Sequence, residues 1–477
     1  MKFKNALLFF TLLFFTLILF SINLSAQNIW LDVKSGGEYS MAMQSDHSLW
    51  AWGNNGNGQL GIGSTIKKNY PVQVGTDTDW DMFSIGAFHS LAIKNDGTLW
   101  SWGSNGNGQL GFGNISDTLV PAKVGTATNW AMVSAGQAHS MAVKTDGTLW
   151  AWGYNQFGQI GDSSTNEPHI PLQIGTDTDW QTVAAGGAHT LALKTDGTLW
   201  AWGANFTGQI GDSSTTNRLE PVQIGTENTW ETISAGYEYS MGLQTDESIW
   251  TWGFNGNGQL GNGSTTNKIT PFRIGKTLDW RMIAAGSSHA FAITTDSSLY
   301  SWGFNGGGQL GTDDKVQRID PTEIGSEDKW VTISAATGFA FNGSIYGVHS
   351  MGIKTNKNVI CATGMNYIGQ LGDSSETDSQ VFKCSTGYLL PNGILNSDLK
   401  VSNTTVFPNP STGIFTISNL PEGSNTLLIF DASGSIIKTV ISSSSQEIIN
   451  LSTLPKGMYV VEIQNENTTS FQKLILK

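Results

Sequence analysis

The chain has 477 residues and a formal net charge of −13; only 13% of its residues are charged, whereas Gly (57) and Trp (18) are abundant. An acidic balance of that size repels phosphate backbones, and no Lys/Arg-rich face offsets it, which argues against nucleic acid as a partner. The length exceeds one ordinary domain, and sparse charge with abundant glycine points to a turn-rich β chain.

Residues 1–26 carry the three parts of a secretory signal: Lys2 and Lys4, an apolar core over 6–20, then Leu24-Ser25-Ala26. Cleavage is expected between Ala26 and Gln27. The core is short for a span of about 20 residues, and no Cys follows the cut to carry a lipid. No later stretch is apolar enough to cross a bilayer, so the mature chain is expected to be exported, with no integral span.

One sentence of sequence then repeats. LWSWGSNGNGQLG at 99–111 recurs at 49–61, 149–161, 199–211, 249–261 and 299–311, always fifty residues apart. A degraded copy, ICATGMNYIGQLG, lies at 360–372, displaced by eleven further residues. Each unit opens at a tryptophan, from Trp30 through Trp80 to Trp330, and all 18 tryptophans fall into the Trp30, Trp50 and Trp52 columns. In the second unit four strands are predicted, over 80–85, 89–94, 98–103 and 121–125. Asn95-Asp96-Gly97 joins the middle two, which suggests a type I′ hairpin turn. No apolar 3.6-residue period survives the glycines, so helices are not expected. Seven four-stranded units that cannot bury their faces alone predict an all-β, seven-bladed β-propeller with tryptophan packed between blades, over 27–387. Gly58 and Gly61 are expected to supply turn conformations closed to residues with a Cβ.

The unit DGTLW-W-N-GQLG-P-V-G-W-SAG-HS-LA resembles the repeat of the regulator of chromosome condensation family, whose fold is a seven-bladed propeller. The family's eponymous eukaryotic member is a guanine-nucleotide exchange factor that docks on chromatin; export and acidity depart from that context, leaving nucleotide exchange a remote alternative here. Secreted bacterial relatives with this repeat include a β-lactamase-inhibiting protein, so the resemblance implies that the fold can present a protein-binding face.

A polar linker is expected over 388–405 and a small β-sandwich over 406–477. The latter is marked by FPNPSTG at 407–413 (Pro408, Asn409, Pro410, Gly413), LLIFDASGSII at 427–437, LPKGMYVVEI at 454–463 (Gly457, Tyr459) and a terminal KLILK. These motifs resemble the C-terminal sorting domain of the type IX secretion system. The resemblance implies recognition by an outer-membrane translocon, release or surface attachment of the passenger, and a source of the Bacteroidota type.

Within the repeats, chemistry is scarce. The segments from Gly56, Gly106, Gly256 and Gly306 match G-x-G-x-x-G, but no helix follows to hold a pyrophosphate, so they read as turns. His89, His139, His189, His289 and His349 share a column with Tyr39 and Tyr239. Tyrosine at the same place favours a structural hydrogen bond over metal, and no cofactor is expected. No unrepeated catalytic set stands out. Cys361 and Cys384 could form a disulfide or remain two buried thiols.

Strand parity puts the loop before the histidine column and the N-x-x-G-Q loop on one face. The second supplies aromatics at variable positions: Tyr154, Phe157, Phe206, Phe254, Phe304 and Tyr367. The first holds an insertion over 337–348 with Phe339, Phe341 and Tyr346. This face is the expected site of contact with an extracellular protein or glycan; the alternative is an enzyme, a lyase or hydrolase acting on surface polymers. The chain is expected to be monomeric.

Overall fold

In a computed structural model the described residues are 29–275, 279–325, 328–341, 344–346, 348–355, 359–385, 404–409, 411–421, 423–430, 436–464 and 469–477. The expected signal segment with Ala26 and Gln27, most of the expected linker, and Pro410 lie outside them, as do the side chains of Phe339, Phe341 and Tyr346. Two compact units result, 28–385 and one covering 386–477.

The first unit consists of seven four-stranded antiparallel sheets, each in chain order from its first strand to its fourth. Blade 2 is representative, with strands Trp80–Ile85, His89–Lys94, Leu99–Gly103 and Thr118–Lys123. First strands of adjacent blades touch one another, which makes them innermost. The second strand is almost wholly buried, whereas the fourth is half exposed and forms the outer edge.

The apolar clusters lie between blades rather than within them. Met41, Leu49, Leu60 and Val74 of blade 1 pack on Trp80, Phe83, Ile85 and Trp102 of blade 2. The same layer recurs between blades 2 and 3, 3 and 4, 4 and 5, 5 and 6, and 6 and 7. Trp52, Trp102, Trp152, Trp202, Trp252 and Trp302 are fully buried, and at about 25 cal/mol/Å² each ring contributes roughly 4 to 6 kcal/mol of gross stabilisation. Each indole also donates to a carbonyl of the preceding blade, as from Trp102 Nε1 to Gln59 O at 3.0 Å.

The ring closes by the same contacts. Ser35 N donates to Ser334 Oγ at 2.9 Å, matching Ala135 N to Ser84 Oγ at 3.0 Å, and Trp52 Nε1 reaches Gln370 O at 3.0 Å. Among the described residues no strand is exchanged across the seam, and the four strands of each blade come from one stretch of chain.

Two local expectations are corrected. The turn at Asn95-Asp96-Gly97 is not type I′: only Gly97 has positive φ, at 74°. Gly97 N donates to Lys94 O at 2.8 Å and Lys94 N to Thr98 O at 3.0 Å, which is a type I turn followed by a left-handed bulge residue. Asp96 Oδ1 accepts from both Thr98 N and Thr98 Oγ1 and holds the three-residue loop in that form. His47, Glu247 and Ser297 take the glycine's place in other blades, with φ of 61°, 62° and 72°. The fourth strand of blade 2 begins at Thr118 rather than at Pro121. Proline lacks a ladder donor but is tolerated on an outer edge, and the pairing slips there, between Ser101 and Gly103.

Blade 7 lacks the tryptophans of both third-strand columns, which are filled by Cys361 and Thr363. The Phe382 ring covers the space against Gly311 and packs on Trp330 at 4.8 Å. Cys361 faces Cys384 across the third and fourth strands, and the two form a disulfide.

In the second unit a three-stranded sheet (Thr405–Phe407, Ile414–Ser418, Gln446–Asn450) and a four-stranded one (Asn425–Phe430, Ile436–Ser442, Gly457–Gln464, Thr469–Leu476) share a core. Phe415, Ile417 and Ile449 of the first sheet meet Leu427, Ile429, Val461 and Leu474 of the second. Along Asn425–Phe430 every other residue is buried, which is the two-residue period of a half-buried sheet.

Candidate binding face

The residues that the repeats share are consumed in holding the loops. In the blade 3 loop, Asn155 Oδ1 accepts from Ile160 N at 3.0 Å, and Asn155 Nδ2 donates to Ser164 O and Asn166 O. Gln159 Oε1 accepts from Phe157 N at 3.1 Å, and Gln159 O receives both Trp202 Nε1 and Thr190 Oγ1 of the next blade. Gly158 and Gly161 have positive φ, and a Cβ on Gly161 would strike the Trp202 indole. The loop from Gly56, a G-x-G-x-x-G match, is held the same way: Leu60 N donates to Asn55 Oδ1, Gln59 O receives Trp102 Nε1, and a Cβ on Gly61 would strike that indole, so the match is a blade-to-blade fastening.

The histidine column is a second fastening. His89 Nε2 meets Ser140 Oγ at 3.0 Å, and Ser140 Oγ meets Gln109 O at 2.8 Å. A carbonyl only accepts, so the hydroxyl proton goes to Gln109 and the imidazole must donate from Nε2–H. The same relay links His139 to Thr190, His189 to Ser240, His289 to Ser350 and, across the seam, His349 to Ser40. The Nδ1 atoms of His89, His139, His189 and His289 have no hydrogen-bond partner among the described residues. Burial drives the pKa of these four histidines down to about 3, so they are neutral at physiological pH. Tyr39 and Tyr239 hold their places by donating to His89 O and His289 O, each at 2.6 Å.

The variable positions are left facing out. Three predicted aromatics converge: Phe157 packs edge-on against Phe206 at 5.4 Å and against Tyr154 at 6.1 Å. They wall a cavity of about 400 Å³ across blades 2 to 5, completed by Asn107 of blade 2 and by Gln137, Tyr237 and Glu238 of the loops before the histidine column. The two loop classes thus share a face. Phe206 remains 58% exposed, and burial raises the Tyr154 hydroxyl pKa, reinforced by the Glu167 carboxylate.

The other predicted aromatics do not join this cluster. Phe254 and Phe304 lie over Gly256 and Gly306 of their own loops. The Tyr367 hydroxyl is hydrogen-bonded to Glu38 Oε1 of blade 1. In blade 7 the insertion forms a hairpin of Phe339–Phe341 and Ser344–Tyr346.

Glu238 is the residue that sequence reading passed over. Burial raises its pKa, and among the described residues no side chain or backbone group bonds its carboxylate. Its only sequence signal is that Glu38 and Glu238 alone put a carboxylate before the histidine column.

A family model described as RCC1-like domain matches residues 20–284, more than half of the chain. This chain belongs to the RCC1-like domain family. An RCC1 repeat model also matches 283–309. The RCC1-like propeller is similar to human WBSCR16, at 20% identity and TM-score 0.62 over 71% of this chain and 93% of that one. It is similar to yeast RCC1 (Prp20), solved bound to Kap60, at 20% identity and TM-score 0.62 over 80% of this chain and 87% of that one. A further structure of Prp20p from Saccharomyces cerevisiae gives 20% identity and TM-score 0.61 over 79% and 90%. At this identity the likeness shows the propeller fold. No curated protein matches the chain in sequence.

Behind the RCC1-like propeller, residues 405–477 match the secretion system C-terminal sorting domain. The protein is therefore secreted through the outer membrane to the cell surface or beyond, by way of the type IX machinery. In that domain Asn409 Oδ1 accepts from Ile475 N at 2.9 Å, and the Tyr459 hydroxyl donates to Pro455 O at 2.7 Å. Gly413 sits at φ 115° with Ser452 against it, where a Cβ would clash. Pro408 follows Phe407 through a cis bond, and Gly457 opens the long strand Gly457–Gln464.

Proposed function

We propose that the exported RCC1-like propeller is a binding module whose cavity-bearing face holds an extracellular protein or glycan without chemically altering it. The support is the Tyr154–Phe157–Phe206 cluster: exposed and half-buried rings at variable loop positions, on a framework whose shared Asn and Ser/Thr side chains fasten loop and blade. Such rings supply large contact area at small entropic cost.

The test uses the mature full-length chain, a Phe157→Ser/Phe206→Ser variant and a deletion of 338–347, immobilised against native culture medium and a glycan array. Capture by the parent should fall at least about tenfold, or about 1.4 kcal/mol, in the double variant, with unchanged urea unfolding. Equal capture by parent and double variant refutes the role of this face. Turnover of a glycan or peptide panel would replace the binding reading with an enzymatic one.

A further inference from the structure

The repeat contains its own control for the cavity. In blade 1 the buried Glu38 carboxylate is fully engaged: Oε2 accepts from Asn54 Nδ2 at 2.7 Å, and Oε1 from the Tyr367 hydroxyl of the preceding blade. In blade 5 the corresponding acid is Glu238. The position of Asn54 is there taken by Phe254, and that of Tyr367 by Phe206 of the preceding blade. The backbone setting is the same, since Asn54 N donates to Glu38 O and Phe254 N to Glu238 O, both at 2.9 Å. Both side-chain donors have been exchanged for phenylalanine. A half-buried carboxylate that has lost its donors is costly for the free protein unless something else supplies them.

What remains around that carboxylate defines the missing group. Phe206 stands on one side with Phe157 and Tyr154 beyond it, and Tyr237 is beside it. Ring faces carry negative potential and attract cations, most strongly where water is excluded. Gly187, Ala188 and Ala204 keep part of the wall low, and about 400 Å³ admits one long side chain. A sugar hydroxyl would donate to the carboxylate as the Tyr367 hydroxyl does to Glu38, but it brings no positive charge to the ring faces; a flat guanidinium or an ammonium supplies donors and charge together.

We infer that the Tyr154–Phe157–Phe206–Glu238 cavity is the receptor for a cationic side chain, arginine or lysine, presented by an extracellular protein partner. This rests on the reading of the loop face as a binding surface and names what that surface selects. The net charge of −13 favours approach of such a partner over long range.

The experiment titrates the mature full-length chain with the peptide Gly-Ser-Arg-Ser-Gly and with its lysine and citrulline counterparts, followed by NMR or calorimetry. Two variants accompany it. Glu238→Gln removes the charge. Phe206→Tyr/Phe254→Asn installs the donors that Glu38 already has and should occupy Glu238 internally without unfolding the blade. Saturable binding of the arginine or lysine peptide is expected, at least about tenfold weaker for citrulline and for both variants. No saturation by either cationic peptide at millimolar concentration overturns the inference, as does equal binding of citrulline. Preference for free glucosamine or spermidine over the peptides also overturns it, by assigning the cation to a source other than protein. If partner capture is lost in the Phe157→Ser/Phe206→Ser variant but kept in Glu238→Gln, the binding face stands and the cation pocket falls; capture that survives both fails the broader reading.

Discussion

Lowering the pH from 7 to 5 should weaken the propeller through its histidine column. His89, His139, His189 and His289 are fully buried and held down to about 3, because protonation would strand a charge between blades. In the unfolded chain the same groups protonate near 6.5. The unfolded state therefore binds more protons between those values, and stability is lost as pH falls below 6.5 and continues to be lost down to about 3. At pH 5 the linkage amounts to about 2 kcal/mol for each histidine, or roughly 8 kcal/mol for the four, against a few tenths at pH 7. Asp96, Asp146, Asp196 and Asp296 are held below the ordinary carboxylate range, first by hydrogen bonds from the Thr98, Thr148, Thr198 and Thr294 hydroxyls, so their contribution is lost only at lower pH. Glu238, whose pKa is raised, acts in the opposite sense as a single group. Urea unfolding at pH 7 and 5, followed by tryptophan fluorescence, reads the difference. His89→Tyr supplies the internal comparison, because Tyr39 already fills this position with its hydroxyl on His89 O and Ser90 Oγ. That variant should cut the pH-dependent loss by about a quarter. An unchanged unfolding midpoint across this interval, or a His89→Tyr profile identical to that of the parent, refutes the reasoning.

Reducing the Cys361–Cys384 bond, or replacing both residues with serine, frees a loop with a sequence separation of 23 and should cost about 3 kcal/mol; equal thermal midpoints with and without reductant would contradict this. Glu247→Gly relieves a left-handed turn residue at φ 62° and should stabilise by about 1 kcal/mol, read as a higher urea midpoint at unchanged slope. A chain truncated before residue 405 should fold its propeller but fail to reach the medium or cell surface, as fractionation with an antibody against the propeller would show; normal export would remove the sorting role of 405–477.

The blades were legible because Trp and Gly recur at a fixed step and their burial demands one geometry. The shared loop face was legible too, since parity of antiparallel strands settles it. The turn at Asn95-Asp96-Gly97 was not, because the same three residues suit two turn types and Asp96 chooses by bonding Thr98. Nor was the repair in blade 7: Phe382 stands nineteen residues after Thr363, and only the fold brings it to the vacated tryptophan site. Glu238 acquires meaning only from Phe206 and Phe254, which are replacements in two separate loops. A column-by-column reading of single positions has no means of weighing such a triplet.

Because the seam between blade 7 and blade 1 uses the same side-chain clasps as the others and, among the described residues, borrows no strand, where the polypeptide starts is incidental to the ring. A circular permutant reopened between blades 3 and 4, with its old ends bridged, should assemble with the same stability.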